Sequence, residues 1–265
     1  MSASSFDPLP AARRLAEAAR TGAPCPPLRD DPGLGDIASA YAVQEAGIAA
    51  ALDAGRVIVG RKIGLTARSV QAQLGVEQPD YGALLDDMAV DDGATIAAGC
   101  LLQPKVEAEI AFVLDRDLPS PGTTLGEAAR AVAYALPAIE IVDSRIADWN
   151  ISIVDTIADN ASSGLFVLGG APRRIDALDL RLCGMVLEQD GEGVSFGCGA
   201  ACLGNPLVAL AWLARTMART SRPLRAGEVI LSGALGAMTP MAPGAHYAAH
   251  INGLGSVRVR LEASA

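Results

Sequence analysis

The run PKVEAEIAFVL, residues 104–114, limits the folds open to this chain more than any other segment. Its β-branched and aromatic residues predict a strand, in which successive side chains alternate faces. Glu107 and Glu109 then leave from one face, about 7 Å apart at roughly 3.3 Å of rise per residue. A second apolar run, LPAIEIVD, carries Glu140 between Ile139 and Ile141. An unpaired carboxylate is too costly to bury, so each must be protonated, paired with Arg or Lys, or bound to a cation. A single strand glutamate commonly faces solvent. Two on one face with a third in another apolar strand fit that reading poorly. An all-oxygen set with no His or Cys nearby suits a hard divalent ion, Mg²⁺ or Mn²⁺.

Lys62, in VIVGRKIGL, is another charge in an apolar run, on the face of Ile58 and Gly60. Beside apolar walls a lysine either gives up its proton readily and acts as a base, or stays charged and holds an anion. A lysine that snorkels to the surface has the same pattern. Asp80 follows Pro79 in QLGVEQPDYGALL, and an aspartate in a tight loop says little alone. The segment DSRIADWNISIVDTIADNASSG (143–164) is dense in Asp and Asn and reads as a polar surface loop or a pocket rim, with Arg145 available to an acidic neighbour.

Around these residues the spacing predicts helices over 8–22, 36–55, 123–136 and 205–219. Asp36 and Asn205 are the expected N-caps, Thr124 and Glu127 form a capping box, and Gly55 is a stop. Short β-branched runs fill the rest: VIVGRKIGL, TIAAGCLL, VEAEIAFVL, AIEIVDSRI, GLFVLGG, CGMVLEQDGEGVSFG, EVILSGAL and GSVRVRLEA. Strands that follow one another without regular βα alternation predict an α+β fold with a mixed, barrel-like sheet. A helical region over 1–56 precedes a β-rich catalytic domain over 57–265.

With 265 residues, 51% of them hydrophobic, the chain can build a large core. Its net charge of −9 disfavours nucleic acid and anionic membranes, and a small anionic substrate needs local cations for capture. No stretch reaches the roughly 18 to 20 apolar residues of a membrane span, and MSASSFDPLPAARR lacks a signal core. Five scattered cysteines suit a reducing compartment, so a cytoplasmic location is expected. Cys198, Cys202, His246 and His250 can be written as a zinc set, but the pairs lie too far apart for a finger. No GxGxxG after a strand and no GxxxxGK[ST] is present.

The segments GRKIGLT (60–66), QLGVEQPDYGALLDDM (73–88), LQPKVEAEIAFVLDRDLP (102–119), LPAIEIVDSRIADWNI (136–151), VDTIADNASSG (154–164) and ILSGALGAM (230–238) closely resemble one family. It is the hydratase and decarboxylase family of the fumarylacetoacetase superfamily. The resemblance runs in one register from about residue 7 to residue 262. It implies a helical N-terminal region before a mixed barrel-like β-structure, and ring-shaped homo-oligomers, pentamers or paired pentamers. It implies that Glu107, Glu109 and Glu140 bind Mg²⁺ or Mn²⁺ and that Lys62 and Asp80 lie at the reacting end of the pocket. Ser232, in LSGAL, is a candidate partner for a substrate carboxylate, although a turn serine is commonly structural. The implied reaction is hydration of 2-hydroxypenta-2,4-dienoate to 4-hydroxy-2-oxopentanoate in the meta-cleavage breakdown of aromatic compounds. Decarboxylation of 4-oxalocrotonate and a non-catalytic scaffold are the alternatives. Ala237, Ala245, His246 and Ala248 depart from the family pattern, away from the expected ligands.

Overall fold

Two helices open the chain, each stopped by a residue suited to the task. The structure, a computed structural model, describes residues 6–68, 71–72 and 76–263. The first three residues of the QLGVEQPDYG motif therefore lie outside the described residues. Helix α1 (Leu9–Thr21) ends at Gly22, whose φ of 70° is left-handed. Helix α2 (Ile37–Asp53) begins at Asp36, whose carboxylate accepts from Ser39 N at 2.8 Å. Ala40, Val43, Gln44 and Ile48 form the buried face of α2. The two helices share a small core with Ile146, Ile157 and Ala158 from the middle of the chain, so the N-terminal region is packed into the rest.

The strands form two sheets. The larger contains β1 (Ile58–Gly64), β2 (Asp80–Leu85), β3 (Ala89–Val90), β5 (Pro104–Leu114), β6 (Val132–Asp143), β7 (Ser163–Leu168), β10 (Val229–Leu231) and β11 (Thr239–Pro240). Its order is β2-β1-β10-β5-β6-β7-β3, with β11 on β5. The pairing is mixed: β1 with β10 and β3 with β7 are parallel, the remainder antiparallel. Because β3 follows β2 almost directly in the chain yet pairs with β7, the two ends of the sheet are drawn together and it rolls up. The smaller sheet has the order β4-β13-β12-β8-β9, from β4 (Thr95–Ile96), β8 (Gly184–Gln189), β9 (Glu192–Cys198), β12 (His246–Ile251) and β13 (Gly255–Leu261).

Side-chain alternation splits the rolled sheet into two faces. Ile63, Val106, Ile110, Phe112, Ile139, Ile141 and Ile230 leave one face and meet Leu187, Tyr247 and Val257 of the smaller sheet in the main core. Leu84, Ala111, Leu136, Ala138, Phe166 and Leu231 leave the other face and plug one end of the roll. Helix α5 (Pro206–Met217), capped by Asn205, adds Leu210 and Leu213 to the main core.

Three expectations need correction. The capping box at Thr124 and Glu127 forms, but α3 covers only Leu125–Arg130 instead of 123–136. The chain from Val132 joins β6, where pairing along the whole of β5 outweighs the helical propensity of AVAYAL. Of TIAAGCLL only Thr95 and Ile96 pair, before a turn with Gly99 at φ 80°. The segment 143–164 is no loose polar loop: it contains α4 (Ile153–Ala158), with Asp155 and Asp159 buried. Among the described residues no helix is long and apolar enough to cross a membrane.

Candidate active site

Register gathers five charged residues of the sheet on the face that carries the apolar plug. Glu107 stands opposite Glu140, and Glu109 opposite Ala138. Ala111 pairs with Leu231, Leu231 with Lys62, and Gly64 with Asp80. Cross-strand partners share a face, so Glu107, Glu109, Glu140, Lys62 and Asp80 sit above Ala111, Leu136 and Leu231. Carboxylate oxygens of Glu107, Glu109 and Glu140 all lie within 4.8 Å of one another. Glu107 keeps partial access to solvent, whereas Glu109 and Glu140 are each 1% exposed.

The Lys62 ammonium lies 2.9 Å from Glu140 Oε1, both side chains buried. Even so, both Glu140 oxygens, Glu109 Oε1 and both Asp80 oxygens lack an aligned hydrogen bond among the described residues. Gly233 N donates to Glu109 Oε2 at 2.7 Å. Four carboxyl groups thus have the Lys62 ammonium among them, with Lys105 acting on Glu107 alone, and the imbalance appears in their titration. Burial, reinforced by Glu140 and opposed by Lys62, pushes Glu107 up to about 7. Burial, then Glu140 and Glu107, push Glu109 well above the usual carboxylate range. Burial also pushes Asp80 up to about 6 against the pull of Lys62. For Lys62 itself burial favours the neutral amine, but Glu140, Asp80, Glu107 and Glu109 outweigh it and hold the proton on more firmly.

Such a set fits a divalent cation. Its oxygens are hard, several are buried without donors, and groups up to about 5 Å apart can share an ion that binds at 2.0–2.6 Å. Two positive charges would offset most of the excess negative charge.

The walls around the cluster are firmly built. Arg145 carries out the role expected of it, pairing with Asp159 and donating to the carbonyls of Asp143 and Ser163 at 2.7 Å each. These bonds hold a turn in which Asn160, Ala161 and Ser162 all have φ between 52° and 54°, a strained arrangement for residues other than glycine. A cleft of about 560 Å³ is lined by Gln103, Lys105, Trp149 and Met241, with Lys105 two residues before Glu107 on β5. Lys105 Nζ lies 4.0 Å from the Trp149 ring centroid, a cation–π contact.

Ser232 is fully buried, and its hydroxyl donates to Gly233 O at 3.3 Å. The group from this turn that reaches the cluster is the neighbouring amide of Gly233. Cys202 Sγ donates to Ser232 O, while His250 lies against Ser256 and Glu188, so Cys202 and His250 of the discounted zinc set have separate partners.

The rolled mixed sheet is shared with a known group of proteins. Residues 60–262 match the family described as fumarylacetoacetate (FAA) hydrolase C-terminal, and the chain belongs to that family. Within it, the chain is 56% identical over 254 residues to a 2-keto-4-pentenoate hydratase of Paraburkholderia xenovorans, covering 96% of this chain and 94% of the relative. It is 58% identical over 247 residues to the TodF product hydratase of Pseudomonas putida F1, covering 93% and 92%. A solved 4-oxalocrotonate decarboxylase from Pseudomonas putida G7, complexed with magnesium and adipate, superposes with a TM-score of 0.92 at 37% identity, covering 96% of this chain and 97% of the other.

Proposed function

We propose that this chain is a divalent-metal-dependent hydro-lyase that converts 2-hydroxypenta-2,4-dienoate to 4-hydroxy-2-oxopentanoate in the meta-cleavage breakdown of aromatic compounds. The observation that carries the reading is the convergence of Glu107, Glu109 and Glu140 beside Lys62 in a chain 56% identical to a named hydratase. Glu107, Glu109 and Glu140 would hold Mg²⁺ or Mn²⁺. When bound, the ion supplies Lewis acidity toward the carboxylate and 2-oxygen of a 2-oxo acid.

The chain's own groups then have distinct tasks. Net hydration moves the 2-hydroxyl proton off the dienol, adds a proton at C5, and places water's oxygen at C4 and its hydrogen at C3. Lys62, held protonated by its acidic neighbours, places a positive charge beside the reacting oxygens. Asp80, pushed up to about 6, can both accept and donate a proton near neutral pH. The apolar plug of Leu136, Phe166 and Leu231 closes one end of the roll to water.

The same reading places the enzyme in the cytoplasm as a ring-shaped homo-oligomer, a pentamer or a paired pentamer. The free cysteines agree with a reducing compartment. Exposed Phe196 and Leu182, 68% and 61% accessible, agree with surface covered by another copy.

The test is an absorbance assay of dienol loss with Mg²⁺ present, run alongside CO₂ release from 2-oxohex-3-enedioate. Hydration without CO₂ release is expected. CO₂ release with no hydration would make the chain a decarboxylase, and neither activity would make it a scaffold.

A further inference from the structure

Neither Asp80 oxygen has an aligned hydrogen bond among the described residues, and the donors that act on the carboxyl are the backbone N–H groups of Gly64 and of Asp80 itself, so this side chain is placed by the backbone of β2 and its neighbour β1. The β2 backbone is gripped from behind. Tyr81, which points to the opposite face, stacks on Tyr41 of α2 with ring centroids 4.4 Å apart and planes at 17°. Tyr81 O accepts from Gln44 Nε2 at 2.9 Å, and the same nitrogen donates to Ile157 O at 3.0 Å. Gln44 is 3% exposed on an otherwise apolar helix face, where packing alone would favour leucine. Both of its N–H bonds are used on carbonyls of two different elements.

Those elements are also joined to each other. Three residues after Ile157, the Asn160 side chain accepts from Ala83 N at 2.8 Å and donates to Ala83 O at 2.9 Å. Gln44 thus completes a ring of contacts from α2 to β2, from β2 to the 160–162 turn, and through α4 back to α2. Burial first, and the charge of Asp80 next, push the Tyr41 phenol well above its usual range. Helix α2 lies outside residues 60–262, the span matched to the family.

We infer that α2 positions Asp80, with Gln44 holding the β2 backbone beside it and Tyr41 bracing Tyr81 from behind. The inference rests on the reading of Asp80 as a proton-moving group. Gln44 touches no substrate and is a positioning residue, as is Tyr41.

Gln44→Met keeps the length of the side chain and removes both donors. In the full chain with saturating Mg²⁺, kcat on 2-hydroxypenta-2,4-dienoate should fall about tenfold or more. KM and Mg²⁺ affinity by calorimetry should each stay within about twofold. In an Asp80→Asn background the same substitution should change kcat by less than about twofold, because the group it positions is already disabled. A merely structural role would lower kcat equally in both backgrounds. Tyr41→Leu runs through the same cycle and decides the matter if Gln44→Met does not fold. Full kcat in a folded variant, or an equal drop in the Asp80→Asn background, overturns the inference. A wild-type chain that does not hydrate the dienoate overturns the functional reading instead, whereas an Asp80→Asn variant at full rate overturns the inference and the proton-moving role of Asp80 and leaves the hydratase reading standing.

Discussion

Gly64 leaves the space that the Asp80 carboxylate occupies. The two are register partners on β1 and β2, and a Cβ at position 64 would collide with Asp80 Oδ1. The backbone of Gly64 has no left-handed φ to explain the residue, so the close approach of the carboxylate is the reason for glycine here. Gly64→Ala should therefore swing Asp80 out of place and lower kcat by about 100-fold. Glu107, Glu109 and Glu140 are untouched, so Mg²⁺ affinity measured by calorimetry should hold. Wild-type turnover in a folded Gly64→Ala enzyme would show that Asp80 does not need its present position.

Glu107→Gln, Glu109→Gln and Glu140→Gln each remove a negative charge from the shared oxygen cluster and should lower Mg²⁺ affinity by about 100-fold or more. Lys62→Ala should behave in the opposite way. It removes the one cation that competes for Glu140, 2.9 Å away, so the ion should still bind while turnover is lost. Titration calorimetry beside a steady-state assay separates the two outcomes, and normal metal binding by Glu107→Gln would remove that residue from the ligand set.

The legible and illegible parts of this molecule divide along a physical line. A strand's period of two put Glu107 and Glu109 on one face without any knowledge of neighbours, and the apolar flanks of Glu140 marked it as the same kind of anomaly. Lys62 stood out for the same reason. Tertiary pairing was invisible: AVAYAL has helical propensity, and only its long partner β5 turns it into a strand. The 143–164 segment has the composition of a surface loop, because Asp155, Asp159 and Arg145 are polar whether solvated or bonded in the interior, Arg145 to Asp159 and Asp155 to Arg29 and Ser152. Gly64 and Gln44 matter through contacts with residues far away in the sequence. The one local hint was a glutamine on the apolar face of α2.

Metal removal should inactivate and soften the protein together. Without an ion, four carboxyl groups have the Lys62 ammonium among them, with Lys105 acting on Glu107 alone, and several of their oxygens are buried without donors. EDTA should abolish turnover, and Mg²⁺ or Mn²⁺ should restore it. At about 100 times its dissociation constant the ion should add about 2.7 kcal/mol of stability, seen as a rise in melting temperature. Activity that survives exhaustive chelation would end the metal-dependent reading.

Acid should loosen the joint between the N-terminal region and α4 at Asp155. This fully buried carboxylate accepts from Leu28 N at 2.7 Å, Arg29 N at 2.9 Å, Arg29 Nη1 at 2.7 Å, and Ser152 N and Oγ at 2.8 Å each. Burial works against its charge, but the bonds from Ser152 and Arg29 outweigh it and hold the group below its ordinary value of 3.8. A carboxyl depressed in the folded state stabilises fully above the unfolded value and loses that contribution as pH falls through the folded one. Its share of stability should thus be constant at neutral pH, begin to fall as pH drops below about 4, and be lost only below the depressed folded value. Asp155→Ala should cost about 3 kcal/mol at pH 7, the low end for a broken buried pair, because Arg29 keeps 32% of its side chain in water. Denaturant unfolding at pH 7 and pH 3.5 checks both halves: the gap between wild type and variant should narrow in acid. A gap of equal size at the two values would mean that Asp155 acts through packing rather than through its charge.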